Sequence, residues 1–411
     1  MKDHLNKWAA ADLAHAWHPF TDQAVWEEEV PLVIQKGEGC WLFDVEGRRY
    51  LDANSSIWTN IHGHGHKKIV GAIQEQAERL CHSSYLGFAN DRASELAARL
   101  CGFFGEGELP RCFFSDDGST ALEVAFKMSL QWRQQNEEEG RTGVIAFENA
   151  YHGDTLGASS VGGVSRFIKG YGECGLEVYR VSSMEDLRKL PEVVVESASA
   201  VVIEPLVQGV NQMKLWPSGM LRELRAWASE YGVHLILDEV MTGFGRTGEM
   251  FACQVEGVVP DFLCMAKGLT GGTMPLAATL TTREIYEGFK GSSRTFFYGH
   301  SYTGNALGCA AALANLEIFE DEKTLAGVEE KGAFLEEELR GISGVLEVRR
   351  VGLILGFDIA SCGQKFCRKL REFGVLTRPI LNTIVLMPPL VVRREELEFL
   401  VRGVRSAFEQ D

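Results

Sequence analysis

Two short apolar runs in the second half of the chain stop abruptly on charges of opposite sign. Val233, Leu235, Ile236 and Leu237 lead into Asp238-Glu239, and Phe262, Leu263, Cys264, Met265 and Ala266 lead into Lys267, followed by glycines. Runs of this length and β-branched content are what strands buried on both faces of a parallel sheet require. In open α/β sheets the ligand crevice lies outside the carboxyl ends of the strands, so an acid and an amine face one crevice. Helical and strand patterns alternate from about 92 to 310, which predicts a mostly parallel central sheet with helices on both faces.

Three chemistries compete for this pair. The plainest is a structural ion pair at the sheet edge. The second is pyridoxal phosphate chemistry, in which Lys267 holds the cofactor covalently and Asp238 keeps the pyridine nitrogen protonated. At about 3 Å and an effective dielectric near 20, that contact is worth roughly 5 kcal/mol before desolvation. The third is dinucleotide binding, because Gly243-Phe244-Gly245-Arg246-Thr247-Gly248 spells G-x-G-x-x-G after a strand. It fails on context. Asp238 and Glu239 repel a pyrophosphate, no long helix is legible after Gly248, and the next strand-end acid, Asp261, comes too soon.

Composition narrows the classes further. A formal charge of −16 argues against nucleic-acid partners, and no apolar run is long enough to span a membrane. Ten scattered cysteines without a C-x-x-C pair, and a first stretch without a leader's apolar core, point to a reduced, cytoplasmic protein. The run His62-Gly63-His64-Gly65-His66 lacks a nearby acid or cysteine and reads as a loop capping the helix 67–80, so no metal is expected.

The rest of the chain supplies a second domain and a phosphate cradle. Strands at Leu32-Val33-Ile34, Trp41-Leu42-Phe43 and Tyr50-Leu51, with turns at Gly37-Glu38-Gly39 and Glu46-Gly47, form an antiparallel meander. The last hundred residues alternate helix and strand. The division expected is a large domain over 61–310 and a discontinuous small α+β domain made of 1–60 and 311–411, with the crevice between them. After the strand Cys112-Phe113-Phe114, Gly118 and Ser119 open a helix whose positive end suits a phosphate, although Asp117 or Ser119 also fits a plain N-cap. Tyr151, just past another strand, is placed to stack on a flat cofactor or simply to pack.

Taken together these marks resemble the fold-type I, subgroup III aminotransferases, which depend on pyridoxal 5'-phosphate. The likeness covers nearly the whole chain. It rests on Asp117-Gly118-Ser119 before a helix, Asn149-Ala150-Tyr151-His152-Gly153, Asp238-Glu239-Val240 with the glycines to Gly248, and Ala266-Lys267-Gly268 with Gly271-Gly272. A second set is Trp17-His18-Pro19-Phe20, Ser55-Ser56-Ile57-Trp58, Tyr151 to Thr155 and Leu386-Met387-Pro388-Pro389. This set looks like the biotin-pathway branch, which converts 8-amino-7-oxononanoate to 7,8-diaminononanoate. Ornithine, 4-aminobutyrate and diamine aminotransferases share only the first set and stand as the alternative.

The resemblance implies roles residue by residue. Lys267 carries the cofactor and Asp238 meets its ring nitrogen. Gly118 and Ser119 bind the phosphate, joined by His300 and Ser301 from the other subunit of a homodimer, while Tyr151 and Val240 cover the two ring faces. Trp58, Tyr151, Gly299 and Arg378 line the substrate site, with Arg378 clamping the distant carboxylate. Arg246 is implied to contact the donor or to support residues that do. S-adenosylmethionine is the branch's usual amino donor, and its users typically carry tyrosine where Phe20 and Val385 stand and a paired tryptophan where Ile57 stands. Phe20, Ile57 and His300-Ser301-Tyr302-Thr303 instead look like the variant form that takes lysine, so both donors stand as expectations.

Overall fold

The computed structural model describes residues 6–170 and 174–409. Residues 1–5, part of the stretch read for a leader, lie outside it. Near the start, β1 (Ile34–Glu38), β2 (Trp41–Asp44) and β3 (Arg49–Asp52) form the meander. Its first strand differs from expectation, because Gly37-Glu38 continues β1 and the turn falls at Gly39, where φ is +57°. The reason is a contact from another loop: the His64 side chain packs on Gly37, where a Cβ would lie 2.6 Å from His64 Cβ. A two-way backbone bridge between Gly39 and His64 then fixes the register.

The large sheet is built from β4 (Arg111–Ser115), β5 (Gly143–Phe147), β6 (Val178–Val181), β7 (Ala198–Ile203), β10 (His234–Asp238), β11 (Phe262–Met265) and β12 (Ala277–Thr281). Between β7 and β10 lies a small hairpin, β8 (Val207–Gln208) and β9 (Lys214–Leu215). The order across the large sheet is β4-β12-β11-β10-β7-β5-β6. Strands β11, β10, β7, β5 and β6 are parallel, as the alternation predicts. Only β12 runs against its neighbours β11 and β4. The connection from Met265 to Ala277 is too short for a helical crossover, so the chain returns antiparallel.

Successive residues of β10 enter different cores, the consequence of a two-residue side-chain period. Leu235 and Leu237 pack with Leu224 and Trp227 of the helix Met220–Glu230. Ile236 packs with Val124 and Phe126 of the helix Gly118–Gln135. Every residue of β7, β10 and β11 is buried, so the sheet is covered on both faces. That leaves the strand ends as the sheet's open edge.

Toward the C-terminus come β13 (Val345–Val351), β14 (Ile354–Ile359), β15 (Val375–Leu376), β16 (Pro379–Ile380) and β17 (Thr383–Leu386). Four of them make an antiparallel sheet in the order β13-β14-β17-β16. The fifth, β15, pairs in parallel with β3 through Leu51 and Val375, joining early and late chain in one sheet. The three histidines of the 62–66 loop go separate ways. His64 meets Asp52 at 2.8 Å, His66 meets Glu322 at 3.2 Å, and His62 is buried beside Thr324.

Candidate active site

Four neighbouring strands deliver ionisable or aromatic groups to one edge. In sheet order, β11 is followed by Lys267, β10 ends on Asp238, β7 is followed by Glu204, and β5 leads to Tyr151 and His152. All five residues line a chamber of about 740 Å³. Lys267 begins a tight turn, Lys267–Thr270, with φ of +42°, a conformation costly for a side chain and one that functional sites often retain. Gly271 and Gly272 continue the left-handed path at φ +61° and +79°. The ammonium lies 4.6 Å from the centroid of the Trp58 ring. Burial pulls its pKa down to about 8, against the opposing fields of Asp238 and Glu204.

Trp58 is itself held in place by strain and polar ties. Ser55, Ser56 and Trp58 have φ of +47°, +61° and +65°. Ser55 donates to the Met387 carbonyl at 2.6 Å, Ser56 N–H donates to Asp52 at 2.7 Å, and the Trp58 indole N–H donates to Asn54 at 2.9 Å.

Asp238 makes no ion pair with Lys267, which removes the structural-pair reading. Its Oδ2 accepts from His152 Nδ1 at 2.7 Å and its Oδ1 from Val240 N–H at 3.1 Å. His152 is buried, and its other ring nitrogen has no partner among the described residues. Burial opposes the imidazolium, but the hydrogen bond and charge of Asp238, with Glu204 behind, outweigh it and raise the His152 pKa. An Asp238 fixed in this way keeps its orientation as an acceptor toward the chamber.

At the other end of the chamber the expected N-cap is present, and Gly118 and Ser119 stand beside it at the start of the helix. Asp117 caps the helix Gly118–Gln135 through Thr120 N–H at 3.0 Å, and Thr120 Oγ1 accepts Asp117 N–H at 3.1 Å. This reciprocal cap consumes Thr120 and leaves the Gly118 and Ser119 N–H groups at the positive helix end. The approach is close: a Cβ on Gly118 would lie 2.7 Å from Val240 Cγ1, and one on Gly153 would lie 2.0 Å from Ser119 Oγ. Asp154 N–H donates to Ser119 Oγ at 2.9 Å, tying the Tyr151 loop to the cradle. A phosphate at the helix end, a flat ring among Tyr151, Val240 and Asp238, and an amine at Lys267 all fit this chamber.

A second chamber of about 1040 Å³ adjoins the first and shares Trp58, Tyr151 and Lys267 with it. Phe20, Ile57, Arg378 and Val385 line it, so the structure brings these expected substrate residues together. The Arg378 guanidinium is exposed and, among the described residues, has no hydrogen-bonding or ionic partner. Two further groups were not legible as site residues. Phe167 stands edge-on between Phe20, at 5.4 Å, and Tyr151, at 5.7 Å, extending an aromatic wall. Glu204 accepts Tyr151 and Gly209 N–H groups, and burial raises its pKa to about 7.

Other expected residues lie elsewhere. Arg246 is fully buried and lines neither chamber. Its Nη1 donates to the Pro388 carbonyl at 2.6 Å and so braces the backbone there, while its Nε and Nη2 have no partner among the described residues. The glycine-rich segment around it is followed only by the four-residue helix Ala252–Val255, too short for a dinucleotide's helix dipole. Gly299, His300 and Ser301 line neither chamber of their own chain, and His300 sits 3.4 Å from Asp116.

A strand-end lysine, an aspartate with a histidine behind it and a helix start opening into the same chamber fit one class of protein, and comparison with known proteins gives the same one. The chain matches the family model Aminotransferase class-III over residues 23–408, and it belongs to that family of pyridoxal-phosphate-dependent transaminases. Among its relatives is the adenosylmethionine-8-amino-7-oxononanoate aminotransferase of Nitratidesulfovibrio vulgaris, 44% identical over 96% of this chain and 80% of that protein. The crystal structure of the enzyme of the same name from Methanocaldococcus jannaschii superposes with a TM-score of 0.95, at 38% identity and 98% coverage of both chains. An amine transaminase from an uncultivated Pseudomonas species, solved in its PLP-bound form, gives 0.91 at 32% identity, covering 96% of this chain and 98% of that one.

Proposed function

We propose that this chain transfers an amino group to 8-amino-7-oxononanoate, giving 7,8-diaminononanoate for biotin synthesis, with S-adenosylmethionine as the donor. The observation that carries the reading is the pair of joined chambers, with Lys267 at their junction and an unpartnered Arg378 in the outer one. A long keto acid bound there presents its ketone to Lys267 and its carboxylate to Arg378, a bidentate match for a planar anion. The names of the relatives support the same substrate. One observation favours lysine as a second donor reading: Phe20, Ile57 and Val385, which lack the indole and hydroxyl contacts of the usual donor site, all line the outer chamber.

The chain's own residues divide the work. Pyridoxal phosphate, when bound, supplies the electron-withdrawing ring that acidifies the substrate carbon. Gly118 and Ser119 would hold its phosphate, Tyr151 and Val240 would flank its ring, and Asp238, fixed by His152, would meet the ring nitrogen. Lys267 would be the residue that attaches the cofactor, and its free amine would hold and move the proton at the substrate carbon. A pKa near 8 lets it serve as acceptor and donor close to neutral pH. The donor and the acceptor occupy the same chambers in turn, so the kinetics are ping-pong.

The functional unit in this reading is a cytoplasmic homodimer in which Gly299, His300 and Ser301 reach the other copy's phosphate. Their place outside their own chain's chambers supports it, as do the neighbouring Phe297 and Tyr302, 89% and 60% exposed. Residues 1–60 and 311–411 make its small domain, which the pairing of β3 with β15 supports. The test is direct. Loaded enzyme is offered 8-amino-7-oxononanoate with S-adenosylmethionine or lysine, and 7,8-diaminononanoate is sought by mass spectrometry. Product with S-adenosylmethionine is the expected result, product with lysine alone moves the donor reading, and none with either donor refutes the substrate.

A further inference from the structure

The roles above leave one buried ionisable group in the chamber unused. Glu204, immediately after β7, is 5% exposed and lines the inner chamber. Its two carboxylate oxygens serve two different loops: Oε1 accepts Gly209 N–H at 3.0 Å and Oε2 accepts Tyr151 N–H at 3.2 Å. The Tyr151 loop carries the ring that flanks the chamber. The Gly209 loop lies against the opposite partner of Lys267, since a Cβ on Gly209 would sit 2.5 Å from Met241 Sδ and 3.4 Å from Trp58 Cη2. A single carboxylate therefore ties the backbone under Tyr151 to the loop on which Trp58 rests.

We propose that Glu204 is a positioning residue whose ionised form clips the Tyr151 and Gly209 loops together and so sets the chamber's grip on pyridoxal phosphate. The proposal rests on the reading of the inner chamber as the cofactor's seat. Only the carboxylate can accept from two N–H groups equally, because the neutral acid turns one oxygen into a hydroxyl and leaves a buried N–H poorly paired. The groups that face it are His152 on the β5 loop, Asp238 at the end of β10 and Lys267 after β11. Burial raises the Glu204 pKa, His152 opposes the rise and Asp238 adds to it, with the balance at about 7. The clip is accordingly engaged above pH 7 and released below it.

The test is a fluorescence titration of apo-protein with pyridoxal phosphate from pH 6 to pH 8.5, for the wild type and for Glu204→Gln. Glutamine keeps the size and one acceptor oxygen but cannot ionise. At pH 8.5 the variant binds roughly tenfold more weakly, the scale of one hydrogen bond to a charged acceptor, and at pH 6 the two affinities converge. Ionisation of the cofactor's phosphate is common to both proteins and cancels in the ratio. A ratio near one at every pH, or one that does not change with pH, overturns the clip. Should Glu204→Gln not fold, Glu204→Asp, one methylene too short to reach both loops, must bind more weakly at pH 8.5, and wild-type affinity there overturns it. A wild type that binds no pyridoxal phosphate at any pH refutes the cofactor reading instead.

Discussion

Replacing His152 with alanine removes the partner that fixes Asp238, and the structure sets the size of the loss. The contact is 2.7 Å long, with side-chain exposures of 0% for His152 and 6% for Asp238. Breaking a buried charge pair from one side costs about 3–5 kcal/mol, whereas losing one charge-assisted hydrogen bond costs about 1.5–3 kcal/mol. Asp238 keeps the Val240 N–H at 3.1 Å, so the apo-protein is expected to lose about 3 kcal/mol, the overlap of the two ranges. In a chain of this length that lowers the thermal midpoint by roughly 3–4 °C. In the proposed function the cofactor's ring nitrogen would give Asp238 a new partner, so the loaded protein is expected to lose less. The pH dependence has a definite sign. The folded pKa of His152 is raised above 6.5, so its contribution is complete below 6.5 and disappears as pH climbs through the raised value. Scanning calorimetry of apo and loaded protein at pH 6 and pH 9 should show the largest gap between wild type and variant for apo-protein at pH 6. A gap below about 1 °C there, or an equal loss in the loaded protein, would refute the reasoning.

Three further expectations follow from the same geometry. Gly118→Ala drives a Cβ to 2.7 Å from Val240 Cγ1, so cofactor affinity falls by about tenfold, and Val240→Ala in the same chain restores much of it; titration of the four proteins in the cycle checks this. Arg378→Ala raises KM for 8-amino-7-oxononanoate by about ten- to hundredfold with little change in kcat, because the contact lies far from the reacting carbon, and steady-state kinetics that show the reverse split exclude the clamp. Attachment of pyridoxal phosphate to Lys267 in apo-protein speeds up as pH rises and levels off above about 8, the lysine being neutral above its lowered pKa; a stopped-flow rate still climbing tenfold per unit beyond pH 9 contradicts that value.

What the sequence disclosed depended on how locally each feature is encoded. Asp238 and Lys267 terminate apolar runs, and Gly118-Ser119 opens a helix, so a few contiguous residues carry each signal. The mostly parallel sheet followed from the same alternation, but the reversal at β12 did not, because it depends on how short the link after Met265 is. His152 was visible only as part of a motif, because its role depends on β5 and β10 lying two places apart with β7 between them. Glu204 stood at a strand end like Asp238, yet nothing nearby in sequence shows that its oxygens serve Tyr151 and Gly209. Phe167 joins the aromatic wall through contacts with residues far from it in sequence. The meander's first turn was misplaced for the same reason: Gly37 signals a turn by composition, while the His64 side chain that demands a glycine there arrives from another loop.

In the proposed function Lys267 is the residue that holds pyridoxal phosphate, and chemical trapping tests that role most directly. Purified protein is loaded with the cofactor, reduced with borohydride, digested and mapped by mass spectrometry. The account predicts a pyridoxyl mass on the peptide containing Ala266-Lys267-Gly268, stoichiometric with the chain, and no label in Lys267→Ala. Label on a different lysine, or an unlabelled Lys267 in protein that has bound the cofactor, would contradict it.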